Sequence, residues 1–302
     1  MSNFISGKDS AESGARETAA RGLSSFAFLG DIGSFSHEAA IAFAERYELE
    51  VKAVPCRSFA DLFDLVKGSQ VAYGVIPLEN STCGTITANY DLLWNSDCQI
   101  VEELLLAVEH HLIGLPGASL EQVQEVYSHP AALEQCTKLF RQNRQMKSKS
   151  FGSTVTAAKM IKETGDASKA AIASWRAAQE SGLEIIARAV QDYANNTTRF
   201  ALLKAGLPQT AGTIPENCKV SIVFQLEHKK GTLAHLLNVL SEAGANLTKI
   251  ESRPIGKQAW HYIFFGDFFG ITEMDVLTGI LSESTESFRI IGAYPAQTII
   301  AE

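Results

Sequence analysis

No stretch of this sequence comes near the ~18 consecutive apolar residues that a membrane-spanning helix needs. No leader is expected either. Met1–Ser25 is rich in Ser, Ala and Gly, has no apolar core, and mixes Lys8, Arg16 and Arg21 with Asp9, Glu12 and Glu17. That composition fits neither a secretory signal nor a transit peptide and is expected to form a disordered tail. The five cysteines, Cys56, Cys83, Cys98, Cys136 and Cys218, are odd in number and show no Cys-x-x-Cys spacing, so no disulfide framework and no zinc site are expected. Positive charge is in deficit, with 26 basic against 34 acidic residues and a net charge of −8. That balance argues against nucleic acid or an anionic membrane as the main partner. The expected setting is therefore soluble and cytoplasmic, and any site for an anion must be built locally.

Motifs for the commoner chemistries are missing too. There is no HExxH, no GxSxG and no P-loop, and Gly30–Gly33 is too short for a dinucleotide fingerprint. His110 and His111 are adjacent, so on a strand they point to opposite faces and cannot share a metal. The expectation is no metal and no redox cofactor.

What the sequence does contain is a repeated pattern. From Phe26 to Leu203 an apolar strand ends, hydroxyl residues follow, and an alanine-rich helix begins. It runs Phe26–Leu29 to a helix over 38–47, with Ala40, Phe43, Ala44 and Tyr47 on one face, and Val71–Ile76 to a polar loop over 77–85. It returns at Glu125–Tyr127 with a helix over 131–140, at Lys149–Phe151 with a helix over 155–162, and at Ala170–Ala173 with a helix over 175–182. Strands alternating with helices predict an α/β domain with a mostly parallel sheet. Ligands bind such sheets beyond the C-terminal strand ends, where helix N-termini favour anions. Each hydroxyl taken alone is an ordinary helix cap. The series, always after a strand, points instead to a site for a small carboxylate.

Ala205–Asn217 holds Gly206, Pro208, Gly212 and Pro215 and is expected to be an interdomain linker over 206–217. Beyond it, a βαββαβ order is predicted over 218–302. The strands fall at 220–226, 246–253, 260–269 and 288–294, with helices from Gly231 and over 271–281. This is the ferredoxin-like arrangement. The strongest polar cluster is Asp192–Phe200. There Arg199 offers a planar fork for a carboxylate and Thr198 a hydroxyl beside it, although a plain polar turn entering a strand would look the same.

Several segments together resemble the prephenate dehydratase family along nearly the whole chain after residue 25. They are Gly33–His37, Gly74–Thr82 with Gly84, Ser128–Cys136, Ser153 with Thr154, Ala170–Ser174 and Asn195–Phe200. The C-terminal part resembles a phenylalanine-binding ACT domain through Gly231–Leu233, Asn246–Ile250 and Glu251–Pro254.

The resemblance implies an α/β fold with a two-lobed, periplasmic-binding-protein-like catalytic domain over 26–205. Lobe one would take about 26–114 and 191–205, and lobe two 115–190. A ferredoxin-like βαββαβ ACT regulatory domain would follow at 218–302. It implies a carbon–oxygen lyase that decarboxylates and dehydrates prephenate to phenylpyruvate in phenylalanine biosynthesis, needing no cofactor because the product ring is aromatic. Catalytic residues would be Thr198, Arg199 and Phe200. Substrate would meet Ser34, Ser36, Asn80, Ser81, Thr82, Ser153, Thr154 and Asn196, with Arg199 on a carboxylate and Thr198 on the leaving hydroxyl. L-Phenylalanine would bind between the ACT domains of two subunits, at Gly231, Leu233, Asn246, Leu247, Thr248, Glu251, Ser252, Arg253 and Pro254, in a homodimer or homotetramer. Asp31 stands where the family usually has proline and is expected to point away from a dianionic substrate. No further enzymatic domain such as a chorismate mutase is expected in the 25-residue tail. Arogenate dehydratase, and more distantly a non-enzymatic amino-acid sensor, are the rival readings; an intact Thr198–Phe200 segment argues against the sensor.

Overall fold

The computed structural model describes residues 22–254 and 262–295, and the backbone of 299–300. The expected tail up to residue 21, and residues 255 and 256 of a turn expected at Pro254–Gly256, lie outside these residues. Lobe one is built from β1 (Gly22–Leu29), α1 (Phe35–Arg46), β2 (Leu49–Cys56), α2 (Phe59–Lys67), β3 (Tyr73–Asn80), β4 (Gly84–Thr85), α3 (Thr87–Asn95) and β5 (Cys98–Ala107). Lobe two follows with β6 (His111–Gly114), β7 (Glu125–Ser128), α4 (Pro130–Glu134), α5 (Thr137–Gln142), β8 (Lys147–Ser150), α6 (Thr154–Thr164), β9 (Lys169–Ala173), α7 (Trp175–Ser181) and β10 (Glu184–Ala187). The chain then returns to lobe one as β11 (Thr197–Ala205). It ends in β12 (Cys218–Gln225), α8 (Thr232–Glu242), β13 (Asn246–Pro254), β14 (Tyr262–Phe269), α9 (Met274–Ser284), β15 (Ser287–Pro295) and β16 (Ile299–Ile300).

Lobe two has its own five-stranded sheet, in the order β10-β6-β9-β7-β8. The strands of lobe one and of the C-terminal domain join one sheet, in the order β13-β14-β12-β15-β5-β11-β3-β1-β2, with β16 added to β5 and β4 to β3. β15 meets β5 at a parallel pairing of Gly292 with Ile100, and β16 pairs with Leu105 and Leu106 of the same strand. A Cβ on Gly292 would lie 2.5 Å from the Ile100 carbonyl oxygen, so the join requires glycine.

A linker rich in Gly and Pro predicts two independent bodies, but the packing differs. In β12 and β14 one set of alternate residues, including Val220, Ile222, Phe224 and Phe268, packs under α8 and α9. The other set, Val223, Ile263 and Phe265, shares a core with Leu62, Phe63, Tyr90, Leu93 and Ile100 of lobe one. This second face of the C-terminal sheet is mixed, with Lys219, Ser221 and Asp267 beside the apolar residues, and lobe one covers it.

Boundaries differ from the sequence reading at several points. Gly22–Ser25, assigned to the tail, are the start of β1 and pair with Leu49–Lys52. β6, assigned to lobe one, pairs with β9 and β10 of lobe two. β3 runs on through Pro77 to Asn80, a stretch expected to be loop. Pro77 cannot donate to a ladder, and the pairing of β3 with β11 shifts register opposite it, between Arg199 and Phe200. The helix expected over 131–140 is divided after Glu134. Asp192 accounts for the break, because its carboxylate accepts from the backbone N–H groups of Thr137 and Lys138 and so caps a second helix start.

Candidate active site

The two lobes enclose a cavity of about 800 Å³, lined from lobe one by Gly30, Asp31, Ser34, Arg57, Asn80, His110 and Thr198, and from lobe two by His129, Gln135, Ser153 and Thr154. It lies at the C-terminal ends of β1, β2 and β3, as the α/β rule requires. The lobes touch around it. The Ser174 hydroxyl donates to the Gly33 carbonyl at 2.9 Å, and Lys159 of α6 stands 3.6 Å from Asp31. Asp31 therefore faces the cleft, contrary to expectation, and its charge is met by an amine from the other lobe.

One hydrogen-bonded chain crosses the site, and its polarity is fixed at one end by the backbone. Asn80 Oδ1 accepts the N–H groups of Thr82 and Cys83, both at 2.9 Å, so Asn80 Nδ2 must face the other way. It donates to Thr198 Oγ1 at 2.9 Å and to Asn196 Oδ1 at 2.8 Å. Asn196 Nδ2 then donates to Gln135 Oε1 at 2.7 Å. That carbonyl oxygen can only accept, so at 3.2 Å His110 Nε2 must carry the proton and donate to it. His110 Nδ1 is left bare and has no hydrogen-bond partner among the described residues. Burial holds the His110 ring neutral, pushing its pKa down to about 4. At the other end, Thr198 uses a lone pair to accept from Asn80, and its own hydrogen remains free for the cavity.

The sequence-predicted residues divide between this cavity and other places. Ser34, Asn80, Ser153, Thr154 and Thr198 line the cavity. Ser34 and Ser153 also cap α1 and α6, accepting from His37 N and Thr156 N. Asn196 is buried one step behind the wall, and Thr82 donates to Asn80 Oδ1 at 2.6 Å; both hold Asn80 rather than face the cavity. Ser36 is half-buried in α1, away from the lining. Ser81 ties the start of β11 by accepting from Thr197 N and donating to Asn195 O. Phe200 is a core residue packed with Phe26, Phe28 and Phe43.

Arg199 needs the clearest correction. Side chains alternate along a strand, so with Thr198 turned to the cleft, Arg199 is turned from it. Its Nε donates to Glu103 at 2.6 Å, its Nη1 to Asp267 at 2.6 Å and its Nη2 to the Tyr294 hydroxyl at 3.0 Å. Burial alone would lower its pKa, but Tyr294, Asp267 and Glu103 outweigh that and hold the guanidinium charged. The guanidinium on the cleft wall is Arg57 instead. The sequence carried a usable signal for it, since Arg57 directly follows the end of β2 and precedes the Ser58 cap of α2.

In the C-terminal domain Gly231 and Leu233 line a cavity of about 390 Å³ at the start of α8, with Tyr262 and Phe264. Asn246, Leu247, Thr248, Ser252 and Pro254 are exposed along β13. Glu251 and Arg253 turn toward lobe one. Glu251 accepts from the Thr85 hydroxyl at 2.6 Å, and Arg253 donates to Thr87 O at 2.9 Å and pairs with Asp91 at 2.6 Å. Among the described residues no group of three His, Cys, Asp or Glu side chains could hold a metal, and no helix is long and apolar enough to cross a membrane.

A cleft with convergent polar groups between two α/β lobes, joined through its sheet to a ferredoxin-like βαββαβ domain, fits a small-metabolite enzyme with an appended small domain. The family model for prephenate dehydratase matches residues 26–206, and that for the ACT domain matches 220–282. The chain belongs to the prephenate dehydratase family and carries an ACT domain. Prephenate dehydratase of Methanocaldococcus jannaschii is 36% identical over 87% of this chain and 95% of its own length. Arogenate dehydratase/prephenate dehydratase 1 of Arabidopsis thaliana is 36% identical over 90% of this chain and 72% of that protein. Among solved structures, prephenate dehydratase from Arthrobacter aurescens in complex with L-Phe has a TM-score of 0.78 at 26% identity, over 90% of each chain. GqqA, described as a novel type of quorum quenching acylase, has a TM-score of 0.79 at 29% identity, over 90% of this chain and 98% of its own.

Proposed function

We propose that this chain converts prephenate to phenylpyruvate, with Thr198 assisting the leaving hydroxyl and L-phenylalanine acting on the ACT domain as inhibitor. The Asn80–Thr198 hydrogen bond carries the reading of the site. It orders the threonine as an acceptor toward Asn80, so its proton is presented to the cleft.

The substrate supplies its own driving force. The C–C bond to the ring carboxylate breaks, releasing carbon dioxide, and its electron pair enters the ring. The C–O bond opposite breaks as the ring becomes aromatic, and the departing hydroxide takes up a proton to leave as water. A threonine is a poor acid, so its O–H acts by stabilising charge on the departing oxygen rather than by full transfer. Arg57 and the amides at the N-termini of α1 and α6, beside Ser34, Ser153 and Thr154, are the groups we assign to the carboxylates. The low net charge inside the cleft fits this, because the Asp31 carboxylate is neutralised by Lys159.

Arogenate differs by an ammonium in place of the keto group. An unpaired Asp31 would favour it; the pairing with Lys159 favours the keto acid. Assembly through the exposed β13 edge, as a homodimer or homotetramer, would place Asn246–Pro254 of one subunit near the Gly231–Leu233 turn of another. The test of the reaction is to incubate the pure protein with prephenate and, separately, with arogenate. Phenylpyruvate from the first supports the proposal. Phenylalanine from the second alone replaces it with the arogenate reading, and no product from either overturns both.

A further inference from the structure

Thr198 and Arg199 are consecutive residues, yet their side chains belong to different parts of the molecule. Thr198 lines the cleft. Arg199, 7% exposed, spends its guanidinium nitrogens on Glu103 of β5, Asp267 of β14 and Tyr294 of β15. Two of those three partners come from the ACT domain. They are themselves locked. Arg199 donates to Tyr294 Oη, the Ser221 hydroxyl donates to Asp267 Oδ1 at 2.6 Å, and so the Tyr294 proton must go to Ser221 Oγ, 2.5 Å away. Lys219 of β12 closes the group on the second oxygen of Glu103. A buried charge is tolerated only while its partners are in place. Arg199 is therefore held in this position by the docked ACT sheet. Thr198 and Arg199 pair in unbroken register with Asn80 and Glu79, and the extra residue of the β11–β3 pairing is Leu78 of β3, so a displacement of Arg199 passes along β11 to Thr198.

We infer that Arg199 is a positioning residue, not a substrate ligand: it clamps β11 to the ACT domain and thereby sets the aim of the Thr198 hydroxyl in the cleft. This rests on the proposed role of Thr198. It gives the ACT domain a route to the reaction one residue long.

The test uses the full chain and begins with ACT-domain groups. Tyr294→Phe removes one hydroxyl from the clamp, and Asp267→Asn removes one charge at constant size. Both should lower kcat for prephenate by about 3- to 30-fold, the span of couplings carried through packed networks, while KM stays within about twofold. Tyr294→Phe should cost nothing further when Thr198 is already alanine, because the clamp then has nothing to aim. Hydrogen exchange at the amides of residues 197–200 should rise in both variants, and thermal unfolding identifies any variant that is merely misfolded. Tyr294→Phe is the milder change and decides the matter if Asp267→Asn does not fold. Three results overturn the inference: a rise in KM with kcat unchanged in Arg199→Lys, losses from Tyr294→Phe and Thr198→Ala that simply add, or unchanged exchange at 197–200. Hydrogen exchange needs no substrate. If the wild-type chain does not consume prephenate, the reaction reading fails, while the exchange result still decides whether the ACT domain holds β11.

Discussion

Asn80 Nδ2 lies 2.9 Å from Thr198 Oγ1, and since an amide N–H can only donate, the threonine oxygen is the acceptor. The hydroxyl hydrogen of Thr198 is thereby freed for the cleft. Thr198→Ala should lower kcat by about 10²–10⁴, the usual range for a positioned proton-transfer group. Thr198→Ser keeps both the acceptor and the hydrogen and should recover most of that loss. Steady-state kinetics on prephenate checks both; a fully active alanine variant removes Thr198 from the mechanism.

Much of this site was legible in the sequence, and the misses have one cause. The strand–hydroxyl–helix pattern located Ser34, Ser153 and Thr154, because capping chemistry and strand ends are local properties. Thr198 stood out in the polar cluster Asp192–Phe200, and Asn80 came with the family resemblance of Gly74–Thr82. Arg199 was misplaced because residue type predicts what a guanidinium can bind but not which face of β11 it leaves. That depends on Glu103, Asp267 and Tyr294, which are distant in sequence. Arg57 was passed over since it sits in no polar cluster, and His110 was weighed only with His111 as a metal ligand. Likewise the Gly- and Pro-rich linker was read as parting two bodies, but a linker says nothing about the surfaces on either side. The signals for those surfaces were Val223, Ile263 and Phe265, apolar residues on the face of β12 and β14 that also carries Lys219, Ser221 and Asp267.

The neutral His110 sets an acid limit. Its pKa falls from an ordinary 6.5 to about 4 on burial, so the folded protein binds this proton less readily than the unfolded chain. Its contribution is intact above pH 6.5 and is lost progressively as pH falls from 6.5 toward 4. On the scale of about 1.4 kcal/mol per pKa unit, the total is a few kcal/mol. His110→Gln should flatten the fall of the melting temperature between pH 6.5 and 4. It should also lower activity at neutral pH, because it breaks the tautomer set by Gln135. An unchanged melting profile would show that His110 does not govern the acid limit.

Phenylalanine binding to the intact chain should be detectable by calorimetry and should inhibit turnover. The coupling expected for such allostery is about 1–3 kcal/mol, and prephenate must weaken phenylalanine binding by the same factor. The exposed Ser252 and the paired Arg253 should behave differently when changed to Ala. Ser252→Ala should move inhibition to higher phenylalanine with basal turnover retained. Arg253→Ala breaks the contacts with Asp91 and Thr87 and should change the response and thermal stability together. Calorimetry with no phenylalanine signal would leave the ACT domain an assembly role.

A chain ending after about residue 210 offers the sharpest test of the shared core. If the catalytic lobes were self-sufficient, such a truncation would keep activity and lose only its response to phenylalanine. The packing predicts otherwise. Tyr90 packs at a tilt against Phe265 with ring centroids 4.7 Å apart, and Leu93 and Ile100 lie in the same cluster as Val223, Ile263 and Ile291. Re-exposing even three such side chains costs on the order of 1.5–3 kcal/mol each. That sum is comparable to the ~5–15 kcal/mol by which a whole domain is stable. The cut also leaves Glu103, fully buried in the intact chain, without Lys219, and Arg199 without Asp267 and Tyr294. The truncated protein should therefore melt at a distinctly lower temperature, bind a hydrophobic dye in its native buffer, and turn over prephenate poorly. Leu93→Ser in the truncated chain, which makes the exposed face polar, should improve its solubility without restoring kcat, because the Arg199 clamp is still missing. A truncated chain with the melting temperature and kcat of the intact protein would mean that the face of lobe one beneath β12 and β14 is stable without its cover, and that the ACT sheet contributes nothing to the fold of the catalytic lobes.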